Sequence, residues 1–297
     1  MPLFFVISGK AFRISCLKNG NVDKEKIKRS TLNLFIVYLV FNAMLPVLKI
    51  IFSKFVNNKV TLFDLGRTIL LPDTLMWYLW VLIIYYFIFG FLYNKKFNKP
   101  VLLFLLLCLS IVSTYLYQAI IFTQIAVKNL FFCSVFFYIG IYFKELKCIF
   151  MNKFAVIVSA ILFCMNTAYM VYTYLINEYR NTLIDSILVE INAFVMIIIL
   201  CFAFRKISFL ENNQLFIMLG KNSLVIYLLH TYFVTLMRVA VLKIGISNAL
   251  TAIILCTVIP LLITVLISLL VTKLSILKYI FKPIILIDKF NNRKIKN

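Results

Sequence analysis

The feature that most constrains this chain is a series of long apolar runs. They fall at roughly 31–53, 75–93, 100–118, 127–144, 153–175, 186–204, 215–237 and 248–272. A helix needs about 20 apolar residues to cross the hydrocarbon core. Within that core only helices and closed barrels satisfy their own backbone groups. The runs therefore predict an all-α polytopic membrane helix bundle. Apolar residues fill 64% of the 297 positions, against about 45–50% in soluble domains. A shorter apolar piece, Pro2 to Ile7, ends at Ser8-Gly9 and is too short to span. The prediction is thus eight full spans plus an N-terminal half-span, with no room for a separate soluble domain. Residues 1–275 read as one membrane domain and 276–297 as a basic cytoplasmic tail.

The formal charge of +21 is not the footprint of a nucleic-acid binder, because the charges sit in short segments between the apolar runs. The segments 10–29, 95–99, 144–153, 205–221 and 273–297 hold 23 of the 31 Lys and Arg residues; the alternate segments hold the other 8. This alternation places the basic-rich side, with the C-terminus, in the cytoplasm. The predicted location is the cell (plasma) membrane, where a basic tail is also able to meet anionic lipid. The half-span ends on the cytoplasmic side at Lys10, so a preceding helix is expected, and restoring it makes ten spans. The seven cysteines form no CxxC or Cys/His cluster, and no metal site is expected. No Walker loop, GxGxxG or HExxH appears, which argues against ATP-driven, nucleotide-redox and zinc-hydrolase chemistry.

Three segments carry a family pattern. They are Met1-Pro2-Leu3-Phe4-Phe5-Val6-Ile7-Ser8-Gly9-Lys10 with the basic stretch Lys26-Ile27-Lys28-Arg29; Trp77-Tyr78-Leu79-Trp80-Val81-Leu82; and Leu219-Gly220-Lys221-Asn222-Ser223-Leu224-Val225-Ile226-Tyr227-Leu228-Leu229-His230. In order and spacing they resemble the acyltransferase 3 family of membrane O-acyltransferases, particularly the fucose 4-O-acetylase-like branch, from residue 1 to about 272. The resemblance implies ten spans and acylation of sugar hydroxyls on cell-surface glycans, with acetyl-CoA as the usual donor and no bound cofactor. It also implies a catalytic histidine in a first span, before the FFxISG element. This sequence begins at that element, so the helix and its histidine are expected to be missing through a mis-called start or a truncated gene.

His230 is the only histidine in the chain. Acyl transfer to a hydroxyl needs a base that titrates near neutrality, which imidazole supplies. Ser223, Tyr227 and His230 share one face of a helix over 215–237, with His230 about seven residues, or roughly 10 Å, from the outer end. The face reads either as a site, in which His230 acts as base or positions substrate, or as a packing contact with a neighbouring helix. Glu190 lies about five residues into the 186–204 run. It either serves the site, by orienting His230 or binding a sugar hydroxyl, or snorkels to the surface. Asp185 reads as interfacial.

Trp77 reads as an interfacial anchor or as a stacking surface for a sugar ring, with Arg67 and Asp73 in the same external loop. Ser8 is a substrate-side candidate through the FFxISG element, although packing beside Gly9 explains it better. Lys28 and Arg29 suit the phosphates of acetyl-CoA, and the positive-inside rule explains them as well.

Together these readings predict a membrane O-acyltransferase, most simply an O-acetyltransferase, acting on a cell-surface polysaccharide or its lipid-linked precursor. His230, Glu190 and Tyr227 are the catalytic candidates; Trp77, Ser8 and Arg29 are the substrate-binding candidates. The expected partners are a glycan or lipid-linked sugar acceptor and membrane lipids. Two alternatives stay open: a non-enzymatic polysaccharide-export protein, because fold does not fix function, and an inactive truncated remnant.

Overall fold

The computed structural model describes residues 1–18, 21–51, 66, 70, 72, 76–95, 97–118, 124–177, 183–207, 213–246, 248–273, 279, 281, 283 and 284. The expected loop residues Arg67 and Asp73, and the charged end of the predicted tail from Lys289 to Lys296, lie outside the described residues. The described chain is almost entirely helical: α1 (Pro2–Cys16), α2 (Lys24–Ile51), α3 (Trp77–Asn94), α4 (Lys99–Gln118), α5 (Ile125–Phe132), α6 (Ser134–Ile141), α7 (Phe143–Met151), α8 (Lys153–Asn177), α9 (Leu183–Lys206), α10 (Gln214–Lys221), α11 (Ser223–Ile244) and α12 (Ala249–Lys273). A two-residue antiparallel ladder pairs Leu17 with Val22 and Lys18 with Asn21. Among the described residues, five helices are long and apolar enough to cross a membrane: 99–117, 153–176, 183–206, 223–244 and 249–271; the helical stretches 77–93 and 125–141 are apolar but shorter.

Two expected elements change. The N-terminal piece does not stop at Ser8-Gly9 but runs on to Cys16 as one helix, with Phe12 and Cys16 fully buried. The apolar run over 215–237 is not one span. It is interrupted at Asn222, between the short α10 and the 22-residue α11. Asn213 caps α10 by accepting a 2.9 Å hydrogen bond from Leu215 N–H. Gly245, at φ 74°, ends α11 in the left-handed conformation that glycine adopts readily.

The chain divides into two compact units, residues 1–28 with 80–208 and residues 29–79 with 209–297. In the first, α1 crosses α6 at a pair of glycines. A Cβ built on Gly9 would collide with the Phe137 carbonyl oxygen, and one on Gly140 with the Val6 carbonyl oxygen. Small residues let membrane helices approach this closely and gain dispersion contacts in place of a hydrophobic driving force. Around the crossing, Phe12 meets Tyr86 at 5.0 Å and Phe137 at 5.7 Å, while Tyr85 meets Phe137 at 5.1 Å.

The helix over 125–141 turns at Cys133. Three successive carbonyls before that turn each receive a hydroxyl: Tyr85 donates to Leu130 O (2.6 Å), Ser134 to Phe131 O (2.6 Å) and Ser110 to Phe132 O (3.3 Å). Such donors keep an irregular backbone tolerable away from water.

In the second unit, Phe41 of α2 packs on Tyr232 of α11 (6.2 Å) and on Phe281 (5.3 Å), and the Tyr232 hydroxyl donates to the Phe41 carbonyl. Ile284 N–H donates to Asn33 Oδ1 at 3.3 Å. Contacts with this unit thus continue past the boundary expected at 275/276, because Phe281 is buried and Ile284 is tied to α2.

The glycine pair yields a stability test. Gly9→Ala places a methyl against rigid backbone and is expected to destabilise the purified chain by at least about 2 kcal/mol. Gly220→Ala meets open space and is expected to change stability by less than about 1 kcal/mol. Thermal unfolding of both variants in detergent checks the contrast.

Candidate active site

The sequence-predicted residues separate between the two units. Tyr227, His230, Trp77 and Arg29 belong to the second, and Ser8 and Glu190 to the first.

Tyr227 and His230 are one turn apart on α11, with ring centroids 5.8 Å apart. His230 Nδ1 faces the Tyr227 carbonyl oxygen at 2.6 Å and the Ile226 carbonyl oxygen at 3.2 Å. A carbonyl only accepts, so Nδ1 is the donor in these contacts, and in the neutral imidazole the lone pair is on Nε2. The helix thus holds the ring by its Nδ1 edge. Tyr78 packs edge-on against Tyr227 at 5.2 Å, and its backbone interacts with the Tyr227 hydroxyl. Trp77 in turn meets Tyr78 at 6.5 Å. The local path Trp77–Tyr78–Tyr227–His230 is continuous, but Trp77 is only 7% exposed. Its ring is packed away in this structure rather than offered as an open stacking face.

Because α11 begins only at Ser223, His230 stands at a different place along its helix from the expected one. His230 lies seven residues from Ser223 and fourteen from Ile244, or roughly 10 Å and 21 Å at helical rise. It therefore sits nearer the end of the span that adjoins the basic segment 205–221, not about 10 Å from the opposite end. The signal for this was present in Gly220-Lys221-Asn222-Ser223, a cluster of helix-ending and helix-capping residue types.

Glu190 of α9 is 3% exposed. The Ser110 hydroxyl lies beside its carboxyl group but donates to Phe132 O. Both carboxyl oxygens are left without a hydrogen-bond partner among the described residues. The reading in which Glu190 snorkels to the surface is therefore wrong: the side chain points inward among Ser110 and Cys133. Ser8 is half-buried beside the Gly9 crossing, and Arg29 is exposed near the start of α2.

The acyltransferase domain profile matches residues 1–270. The chain belongs to the acyltransferase 3 family. No curated protein and no solved structure matches the chain. The matched region takes in both the Gly9 helix and the α11 segment that carries His230. As an acyltransferase 3 protein with several membrane-spanning helices, the chain is a multi-pass membrane acyltransferase.

Sequence reasoning did not single out Lys10, Arg13, Lys144 and Lys147 beyond their count. They line a cavity of about 530 Å³ in the first unit. Only their basic character was legible, because it takes the Gly9–Gly140 crossing to bring α1 next to α7.

An unpartnered buried carboxylate opposes folding by about 1–3 kcal/mol, which makes Glu190 a candidate for function. Glu190→Leu is expected to raise thermal stability in detergent by about 1 kcal/mol or more while lowering acyl transfer. A loss of stability in that variant would mean the carboxylate has a structural partner.

Proposed function

We propose that this acyltransferase 3 protein transfers an acetyl group from acetyl-CoA to a sugar hydroxyl of a cell-surface polysaccharide or its lipid-linked precursor, in the plasma membrane and with its C-terminus in the cytoplasm. The family match over residues 1–270 carries the acyltransferase reading. The His230 ring, held by its Nδ1 edge, supports its chemical part.

In this scheme Nε2 of His230 accepts the proton of the acceptor hydroxyl as its oxygen attacks the thioester carbonyl carbon. The C–S bond breaks, and the proton passes to the departing thiolate, so an ester and a free thiol result. Removing a single positioned base slows such reactions by about 10²–10⁴-fold. Tyr227 packs beside the imidazole and positions it. Glu190 is the candidate partner for a sugar hydroxyl of the acceptor. Trp77 supports Tyr78 and so Tyr227. Ser8 shapes the backbone at the α1 crossing, and Arg29 adds positive charge near the start of α2. The position of His230 toward the basic-rich end of its span favours reaction near the side where the donor is made, so the acyl group has little of the bilayer to cross before transfer.

His230→Gln keeps a polar side chain but removes the titrating nitrogen. It is expected to lower acetyl transfer by about 100-fold or more without loss of folded protein. The readout is NMR of the surface glycan from a deletion strain complemented with wild type or variant. Acetyl signals lost with normal glycan quantity support the enzyme. Loss of the glycan itself would point to export instead.

A further inference from the structure

The first unit holds a cleft that the chemistry above leaves unused. Its volume is about 530 Å³, and its walls include Lys10 and Arg13 of α1, Tyr93 of α3, and Phe143, Lys144 and Lys147 of α7. Four cations converge on one concave space instead of spreading over a surface. Among the described residues, Glu145 pairs with Arg13 at 3.5 Å and with Lys99 at 3.2 Å. Lys10, Lys144 and Lys147 have no carboxylate partner among the described residues. Like charges gathered in a cleft repel and focus a positive potential that draws in anions.

Two of the cations are held in place. Arg13 donates through Nη1 to the Ile141 carbonyl at 2.8 Å, which leaves Nη2 and Nε for a ligand. Lys10 sits 5.0 Å above the Phe143 ring, which stacks on Phe150 at 5.1 Å and 14°. Preorganised guanidinium and ammonium groups favour phosphate oxygens. A volume of this size suits a ligand larger than one phosphate, and Tyr93 in the wall supplies an aromatic surface on which a base can stack.

We propose that this cleft is the binding site for the phosphorylated nucleotide portion of a coenzyme A-type acyl donor, with Lys10, Arg13, Lys144 and Lys147 as its phosphate-binding residues. The inference rests on the donor reading given under the proposed function. A diphosphate with a phosphomonoester brings about three to four negative charges at neutral pH, which matches the four cations. It also assigns donor binding to a different basic set from Lys28 and Arg29. A phospholipid headgroup offers the same phosphate chemistry but no base.

The test uses the full chain in a phosphate-free maltoside detergent, titrated with coenzyme A. Lys144 and Lys147 are exposed on α7, so the double variant Lys144→Gln/Lys147→Gln retains its fold. It is expected to weaken binding by about tenfold or more, the loss of two charge-assisted contacts. Pantetheine, which lacks the nucleotide phosphates, is expected not to compete. In the wild-type chain, saturating coenzyme A is expected to protect Lys10, Lys144 and Lys147 from an amine-reactive label read by mass spectrometry, so this arm does not depend on a variant folding.

Unchanged affinity in the double variant, with loss instead in Lys28→Gln/Arg29→Gln, overturns the cleft assignment and leaves the acetyl-CoA reading intact. Wild type that binds no coenzyme A overturns both. Label protection by phosphatidylglycerol vesicles, absent with phosphatidylcholine vesicles and with coenzyme A, reassigns the cleft to lipid and overturns the donor inference.

Discussion

The contact on which the first unit depends is the crossing of two backbones at Gly9 and Gly140. In a bilayer there is little water to expel, so helices associate through close packing and through polar groups that find partners. Two facing glycines bring α1 onto α6 and let Phe5, Phe12, Tyr85, Phe89 and Phe137 form one aromatic cluster. The same approach lets Arg13 reach the last carbonyl of α6, that of Ile141, which sets one wall of the cationic cleft. The glycine of the ISG element is therefore a packing residue, and the chemistry near it follows from that packing.

Much of this was legible in the sequence. The apolar runs marked the helices, because hydrocarbon thickness fixes how long a span must be. The LGKNSLVIYLLH segment marked the helix that carries His230. Three things were masked or absent. The break at Asn222 has a cue in Gly220-Lys221-Asn222-Ser223, but the run stays apolar on both sides, so hydropathy blurs where one helix stops and the next begins. The inward orientation of Glu190 depends on which way α9 faces, and an almost uniformly apolar helix does not declare a face. The convergence of four cations depends on a helix crossing between residues more than 120 positions apart, which no local pattern encodes.

Polar groups in the membrane part fall into two kinds. The hydroxyls of Tyr85, Ser110 and Ser134 are spent on the backbone around Cys133, where they replace water as donors. Glu190 and the Nε2 edge of His230 are not used in this way. That difference separates groups which complete the hydrogen bonding of the backbone from groups which do not.

The packing of Phe281 against Phe41 and the tie from Ile284 to Asn33 reach beyond residue 270, where the family match ends. The region a relative would be recognised by is thus shorter than the region that folds. Excising this protein at its recognisable border would uncover an aromatic side chain of α2 and orphan an amide acceptor. For this chain the edge of similarity is a poor guide to where one may safely cut, append a tag or fuse a partner.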